Sequence, residues 1–283
     1  MKKLLLIVWM ATTALLGFGQ VRIDQTTTQL ASKYYSEGDY SKAAPLFRDI
    51  YASSGNPYYF SIYIQCMVQL GQFEQAEKDV KNEIRKSKTP PPELFIHHGY
   101  ILKAQKRDQE AQAKYEEAIA KIPKNKSAYI NAANIFNQWR EYEFAERVYQ
   151  IGKKELPGEK FHSELSQVYL YLRNYSQLMD ELLEQVKTDE QQLPQVESIL
   201  TSALYLDIEN DLREEFKAVI LKRIQAEPDV TGFNRLLIWF FLQEKQFPAA
   251  LRQSIALDRR TRQEERQILS LAQMALNNRN YQD

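Results

Sequence analysis

The chain repeats itself. A tight-turn signal followed by an aromatic residue recurs at Gly38-Asp39-Tyr40, Gly71-Gln72-Phe73, Arg140-Glu141-Tyr142, Arg173-Asn174-Tyr175, Lys245-Gln246-Phe247 and Arg279-Asn280-Tyr281. Successive aromatics are separated by 33, 69, 33, 72 and 34 residues. The two long gaps are doubled periods, and weaker versions of the turn, Lys106-Arg107-Asp108 and Glu209-Asn210-Asp211, fall inside them. A unit of about 34 residues cannot bury its apolar face alone, so each must stack on the next, and the period predicts a solenoid of helix pairs.

Each unit carries a helical code on both sides of its turn. Ahead of it, an apolar residue, a small residue and a large one three further on recur as Leu30-Ala31 with Tyr34, His98-Gly99 with Leu102, Ala132-Ala133 with Phe136, and Leu165-Ser166 with Tyr169. Beyond it come Ala43 and Phe47, Ala76 and Val80, Ala111 and Tyr115, Ala145 and Tyr149. Residues four apart share a helix face. The small one admits a close neighbour, and the large one fills the groove beside it. Pro123, Pro157 and Pro228 end second helices, whereas Pro194 and Pro248 sit at helix starts, where a missing donor costs little. Pro45 falls inside a second helix and is expected to loosen its first turn.

This pattern resembles the tetratricopeptide repeat family from about Asp24 to Asp283. The best-matching unit runs from Pro92 to Asn125, with Gly99, Ala111, Tyr115, Ala118 and Pro123 in register. The family tryptophan is absent, and Phe60, Phe95 and Tyr129 occupy its place. The stretches Lys160 to Glu190 and Gln192 to Pro228 depart most, with Leu178 and Phe216 near positions where a small residue is usual, so the pattern fixes helix pairing least there. The resemblance implies an all-α fold, a right-handed superhelical solenoid of antiparallel helix pairs over residues 20–283. It would hold about seven and a half units, at 24–57, 58–91, 92–125, 126–158, 159–191, 192–229, 230–262 and an incomplete 263–283. Arg266 to Asn278 reads as a first helix, with Leu271, Ala272 and Ala275 in phase. Solenoid ends normally carry a polar capping helix. The expectation is therefore a longer protein with more repeats; the alternative is that this helix is the cap, with Gln267, Gln273 and Asn277 outward.

Residues 1–19 read as a signal peptide. Lys2 and Lys3 precede an apolar run from Leu4 to Met10, loosely continued to Leu16, and Gly17 and Gly19 follow at signal-peptidase spacing. Thr12 and Thr13 interrupt the run short of the about 20 apolar residues that span a bilayer, and Leu236 to Leu242 is shorter still. An exported chain is expected, periplasmic or secreted, without membrane insertion after cleavage. The 37 basic and 37 acidic side chains balance, which argues against nucleic acid as a partner. The single cysteine, Cys66, excludes an intrachain disulfide framework and a cysteine metal cluster.

No reaction centre is legible, and neither an enzymatic role nor a cofactor nor a metal is expected. His97, His98 and His162 are the only histidines. His98 falls on the packed face of its helix, His97 is expected to face an inner groove, and Cys66 reads as a buried thiol. Glycine-rich phosphate loops and a serine elbow are missing.

In the resembled family the first helices line a concave surface used for partners. Mapping the unit onto this chain places Tyr35, Ile62 and Gln65 there, then Ile96, His97, Tyr100 and Lys103, then Asn131, Asn134, Asn137 and Gln138, and finally Gln167, Tyr171, Arg235 and Trp239. The three asparagines form an amide stripe suited to an extended peptide backbone. Tyr100 and Trp239 offer large contact area, or simply fill gaps between helices. Lys103 and Arg235 are scattered, so a basic carboxylate clamp is not supported. The reading is a non-catalytic protein–protein interaction scaffold of the bacterial cell envelope, holding a protein or extended peptide between Tyr100 and Gln138. The alternative is an N-terminal sensory or regulatory module of a longer chain with a membrane span and effector domain beyond Asp283.

Overall fold

The structure, a computed structural model, describes residues 25–262 and 265–277. The signal segment 1–19, the turn at Arg279 and the side chains of Gln267, Ala275 and Asn277 lie outside the described residues. The described residues are helical, without strands, and form two compact units, one up to Ile122 and one from Pro123 onward. The first holds α1 (Gln25–Ser36), α2 (Tyr40–Ser54), α3 (Pro57–Gln69), α4 (Phe73–Lys86), α5 (Pro92–Ala104) and α6 (Asp108–Ala120). The second holds α7 (Lys126–Gln138), α8 (Tyr142–Glu155), α9 (His162–Tyr171), α10 (Tyr175–Thr188), α11 (Leu193–Leu206), α12 (Asp211–Ala226), α13 (Thr231–Gln243), α14 (Phe247–Thr261) and α15 (Glu265–Asn277). No helix among the described residues is long and apolar enough to cross a membrane.

Six hairpin turns close in the same way. Gly38 adopts a left-handed φ of 76°, its N–H donates to the Tyr35 carbonyl, and the Asp39 N–H reaches back to the Tyr34 carbonyl. This pair of bonds satisfies carbonyls that the helix end leaves open. Gly71, Lys106, Arg140, Arg173 and Lys245 repeat it, each with positive φ. The residue after the left-handed one then accepts from the N–H four positions on, as Asp39 does from Ala43 and Arg107 from Ala111, which starts the second helix. Glycine takes this conformation without strain; the four Lys and Arg residues hold it at a cost.

The seventh turn departs from the triplet pattern. The left-handed residue is Asn210, one place later than the Glu209 that the pattern predicts. Its closure uses side chains instead. The buried Asp207 carboxylate accepts from the Leu212 and Arg213 N–H groups, and the Arg213 guanidinium reaches the Leu204 and Asp207 carbonyls.

Two positions set how closely each hairpin packs, the residue seven before and the residue nine after the left-handed one. They are Ala31 and Phe47, Ile64 and Val80, Gly99 and Tyr115, Ala133 and Tyr149, Ser166 and Leu182, and Ile238 and Ser254, all buried. Small stands with large, in either order. Gly99 is the extreme: a Cβ there would lie 2.3 Å from the Tyr115 ring. Ile64 and Val80 are the exception, with no small member, and α3 packs more closely on α2 than on α4.

Two expectations need correction. The helix around Pro45 is unbroken from Tyr40 to Ser54, because the Asp39 cap and the remaining ladder outlast the one missing donor. The hairpin α9–α10 closes tightly despite Leu178, since the small residue is Ser166 on the other helix. Among the described hairpins α11 and α12 pair most weakly, with α3 and α4 next. Glu214 is exposed where most second helices carry alanine, and Phe216 stacks on Phe240 of α13 with ring centroids 4.4 Å apart. Accordingly, α12 leans on α10 and α13, leaving Tyr205 and Ile208 87% and 90% exposed.

Candidate interaction surfaces

In the first unit the structure brings Tyr35 and Gln65 together, the tyrosine hydroxyl donating to Oε1 at 2.5 Å, and burial raises that hydroxyl's pKa. Ile62 is buried and lines no groove. Ile96 and His97 are likewise buried, Ile96 completely and His97 to 2% exposure, which corrects their expected place on an open face. The reason is that α5 is enclosed by α3, α4 and α6, so Leu94 through Gly99 are all covered. His97 lies edge-on to Phe60 at 6.0 Å, and burial drags its imidazole down to about 3, leaving it neutral. Tyr100 is half-buried against this unit's core, and Lys103 is exposed.

The other histidines are interior hydrogen-bonding groups. His98 Nε2 lies 3.3 Å from Glu77 Oε1, which also holds Lys81, while Arg107 reaches the second oxygen. Burial pushes the Glu77 carboxyl up, but hydrogen bonds from Lys81 and His98 outweigh it and hold the group at about 2. His162 Nδ1 lies 2.6 Å from the buried Glu181, whose other oxygen accepts from Lys153 at 2.7 Å. Cys66 is buried, and burial lifts its thiol to about 12, so it is a packing residue rather than a nucleophile. Among the described residues no group of three or more His, Cys, Asp or Glu side chains could hold a metal ion.

The second unit carries the amide stripe. Asn131, Asn134 and Gln138 are exposed on one face of α7, whose other face buries Ala132, Ala133 and Phe136. Asn134 Oδ1 accepts from the Tyr149 hydroxyl at 3.5 Å, a long contact that leaves its NH2 group to solvent. Asn137 departs from the expected stripe: it is half-buried, and its Oδ1 is sealed from solvent without a hydrogen-bond partner. Gln167 is exposed, and the exposed Tyr171 ring stacks on Tyr142 at 4.8 Å. Arg235 is committed to an ion pair with Glu190. Trp239 is half-buried on α13.

No family model matches the chain, and no curated protein does. Solved structures similar to it include that of Naa15/Naa10 bound to HypK-THB, at 15% identity and a TM-score of 0.34, covering 88% of this chain and 39% of that one. The chain thus spans well under half of that protein's length. A tetratricopeptide repeat protein from Parabacteroides merdae matches at 10% identity and a TM-score of 0.33, covering 89% of this chain and 98% of that one. The C-terminal part of a TPR repeat-containing protein from Cytophaga hutchinsonii matches at 15% identity and a TM-score of 0.32, covering 84% and 96%.

Proposed function

We propose that this chain is a non-catalytic protein–protein interaction scaffold, exported to the cell envelope, that holds an extended segment of a partner along the exposed face of α7. The observation that supports this reading is the stripe of Asn131, Asn134 and Gln138. Amides on one helix face lie about 5–6 Å apart. An extended strand presents backbone groups on one side every two residues, about 6.6 Å. Each side-chain amide supplies both a donor and an acceptor, so the match needs no charge and no particular side chain on the partner. Export rests on the basic, apolar and small-residue succession of residues 1–19.

The test is an affinity capture from the envelope fraction of the source cells, comparing the wild type with Asn131→Ala, Asn134→Ala and Gln138→Ala combined. Loss of a partner that the wild type retains is the expected result. Identical recovery from both proteins counts against the stripe, and a chain found only in the cytosolic fraction counts against export.

A further inference from the structure

The seventh turn carries apolar side chains that neither the repeat nor the scaffold reading accounts for. Tyr205, Leu206 and Ile208 are 87%, 63% and 90% exposed. Ile208 stands two places before the left-handed residue, where the other turns have Ser36, Gln69, Ala104, Gln138 and Gln243. The one aromatic at that place, Tyr171, is stacked on Tyr142. Large apolar groups gathered in water mark a surface that something covers. The turn is held in this form from beneath. Its buried Asp207 accepts from the Leu212 and Arg213 N–H groups, and Arg213 ties the same turn to Glu244 at 3.1 Å.

The surrounding charge points to the occupant. From Leu193 to Leu212 the ionisable side chains besides Tyr205 are Glu197, Asp207, Glu209 and Asp211, with no Lys, Arg or His. Arg213 neutralises Asp207 at 3.1 Å. Glu209 has Arg173 at 3.6 Å, an open surface pair that water screens. Just past the turn, Glu214 holds Lys217 at 3.0 Å and the Glu215 carboxylate holds no cation among the described residues. The Glu197 and Asp211 carboxylates likewise have no hydrogen bond or ion pair with any described residue. Asp211 opens α12, where the helix dipole favours a negative charge, but Glu197 lies in the second turn of α11 without that reason. Glu197 is half-buried, and burial without a cation pushes its carboxyl up. Glu197, Thr201 and Tyr205 follow at intervals of four, so the carboxylate and the ring lie along one side of α11, about 12 Å apart. The surface is an apolar centre with an acidic surround.

We propose that Tyr205, Leu206 and Ile208 dock an amphipathic helix of a partner protein whose apolar stripe is flanked by Lys or Arg. The stripe covers the three apolar side chains, and its cations pair with Glu197, Glu209 and Asp211. The hydrogen bonds on offer favour a helix over a strand. Beside Tyr205, the Thr201 and Ser202 hydroxyls already donate to the Glu197 and Ser198 carbonyls, at 2.7 and 3.1 Å. The carbonyls of an extended segment would be short of donors there, whereas a helix arrives with its backbone already paired. An anionic lipid surface is disfavoured, since its phosphates would face these carboxylates. The docking surface belongs to α11 and its turn, and it depends neither on the amide stripe of α7 nor on export.

Fluorescence anisotropy on the full chain tests this with three labelled peptides of about 18 residues, long enough to hold a helix. The first places Leu at helical spacing on one face with Lys elsewhere, and the second replaces each Lys by Glu. The third reorders the residues of the first so that Leu falls on every face. The first is expected to bind about tenfold more tightly than the other two. Tyr205→Ser combined with Ile208→Ser should remove that binding. Glu197→Gln combined with Asp211→Asn should weaken it and flatten its dependence on salt. An unchanged circular dichroism spectrum confirms that both variants fold. Equal binding of the three peptides, or binding of the first that survives Tyr205→Ser with Ile208→Ser, overturns the assignment. So does attachment to phosphatidylglycerol vesicles that the same double variant abolishes, which would make the turn a membrane contact. Binding lost with Asn131→Ala, Asn134→Ala and Gln138→Ala combined, but kept by the Tyr205→Ser and Ile208→Ser variant, overturns it too and leaves the scaffold reading standing.

Discussion

At the residue scale, Gly99 leaves no room for a methyl group. A Cβ there meets Tyr115 ring carbons at 2.3 and 2.4 Å and the Ala111 carbonyl at 3.1 Å, so the ring or a helix must move. Overpacking of this kind costs about 1–3 kcal/mol, and Gly99→Ala is expected to lower stability in urea unfolding by that amount. Adding Tyr115→Leu should restore part of the loss, because Ser166 and Leu182 already use that size combination at the equivalent positions. A single variant as stable as wild type would refute the argument. His97 gives a pH signature. Its folded-state pKa of about 3 lies below the 6.5 of the unfolded chain, so between those values the unfolded state binds a proton that the folded state refuses. Stability therefore falls as pH drops below 6.5, at up to about 1.4 kcal/mol per pH unit. His98, also lowered by burial, acts in the same direction, whereas the stabilisation from the depressed Glu77 is intact above its unfolded value of 4.5 and is lost only below it. Over pH 6.5 to 5, His97→Leu should thus show a shallower fall than wild type in thermal melts; parallel curves would sink the assignment.

At the scale of elements, the turns are the most legible part of the chain. Their closure involves residues within five positions of one another, and a local device leaves a local signal. The signal weakens where Lys106, Arg140, Arg173 and Lys245 replace glycine at a left-handed position. An L side chain pays roughly 1–2 kcal/mol there, so Lys106→Gly and Arg140→Gly should each stabilise the fold by about 1 kcal/mol in chemical denaturation. No gain in either variant would mean that the exposed side chain compensates. Less legible is anything that depends on a neighbouring hairpin. The enclosure of Ile96 and His97 comes from α3, α4 and α6 together, and a single helical period reports the face turned to its own partner only. Phe216 finds Phe240 on the next hairpin, so the repeat pattern marks it as an anomaly without saying where it goes. The amide stripe was readable because its residues share one helix, except Asn137, which turns inward. In hydrogen exchange α11, with its exposed Tyr205 and Leu206 and weak pairing to α12, should lose protection well before α5; equal protection would contradict the packing described.

At the scale of the whole molecule, an array of hairpins stores its stability in contacts between neighbours. Each hairpin has its own turn closure, five of them have a small-with-large pair, and most contacting helices are adjacent or nearly so in sequence. Stability is then close to a sum of unit terms and interface terms, and a lesion should spread only as far as the interfaces it weakens. Gly99 is suited to measuring that reach. Its clash falls between α5 and α6, and α5 also packs on α4 and α3. In native-state hydrogen exchange Gly99→Ala is expected to speed amide exchange in α5 and α6 most and in α4 less. In the second unit, α13 and α14 should exchange as in the wild type, since their protection rests on the Ile238 and Ser254 pair and their own turn at Lys245. A uniform acceleration across all helices would mean that the chain unfolds as a single cooperative body, and the nearest-neighbour account would have to be abandoned. A graded response would mean that a face on one hairpin can be altered without unfolding the rest, which is the property the proposed scaffold role requires.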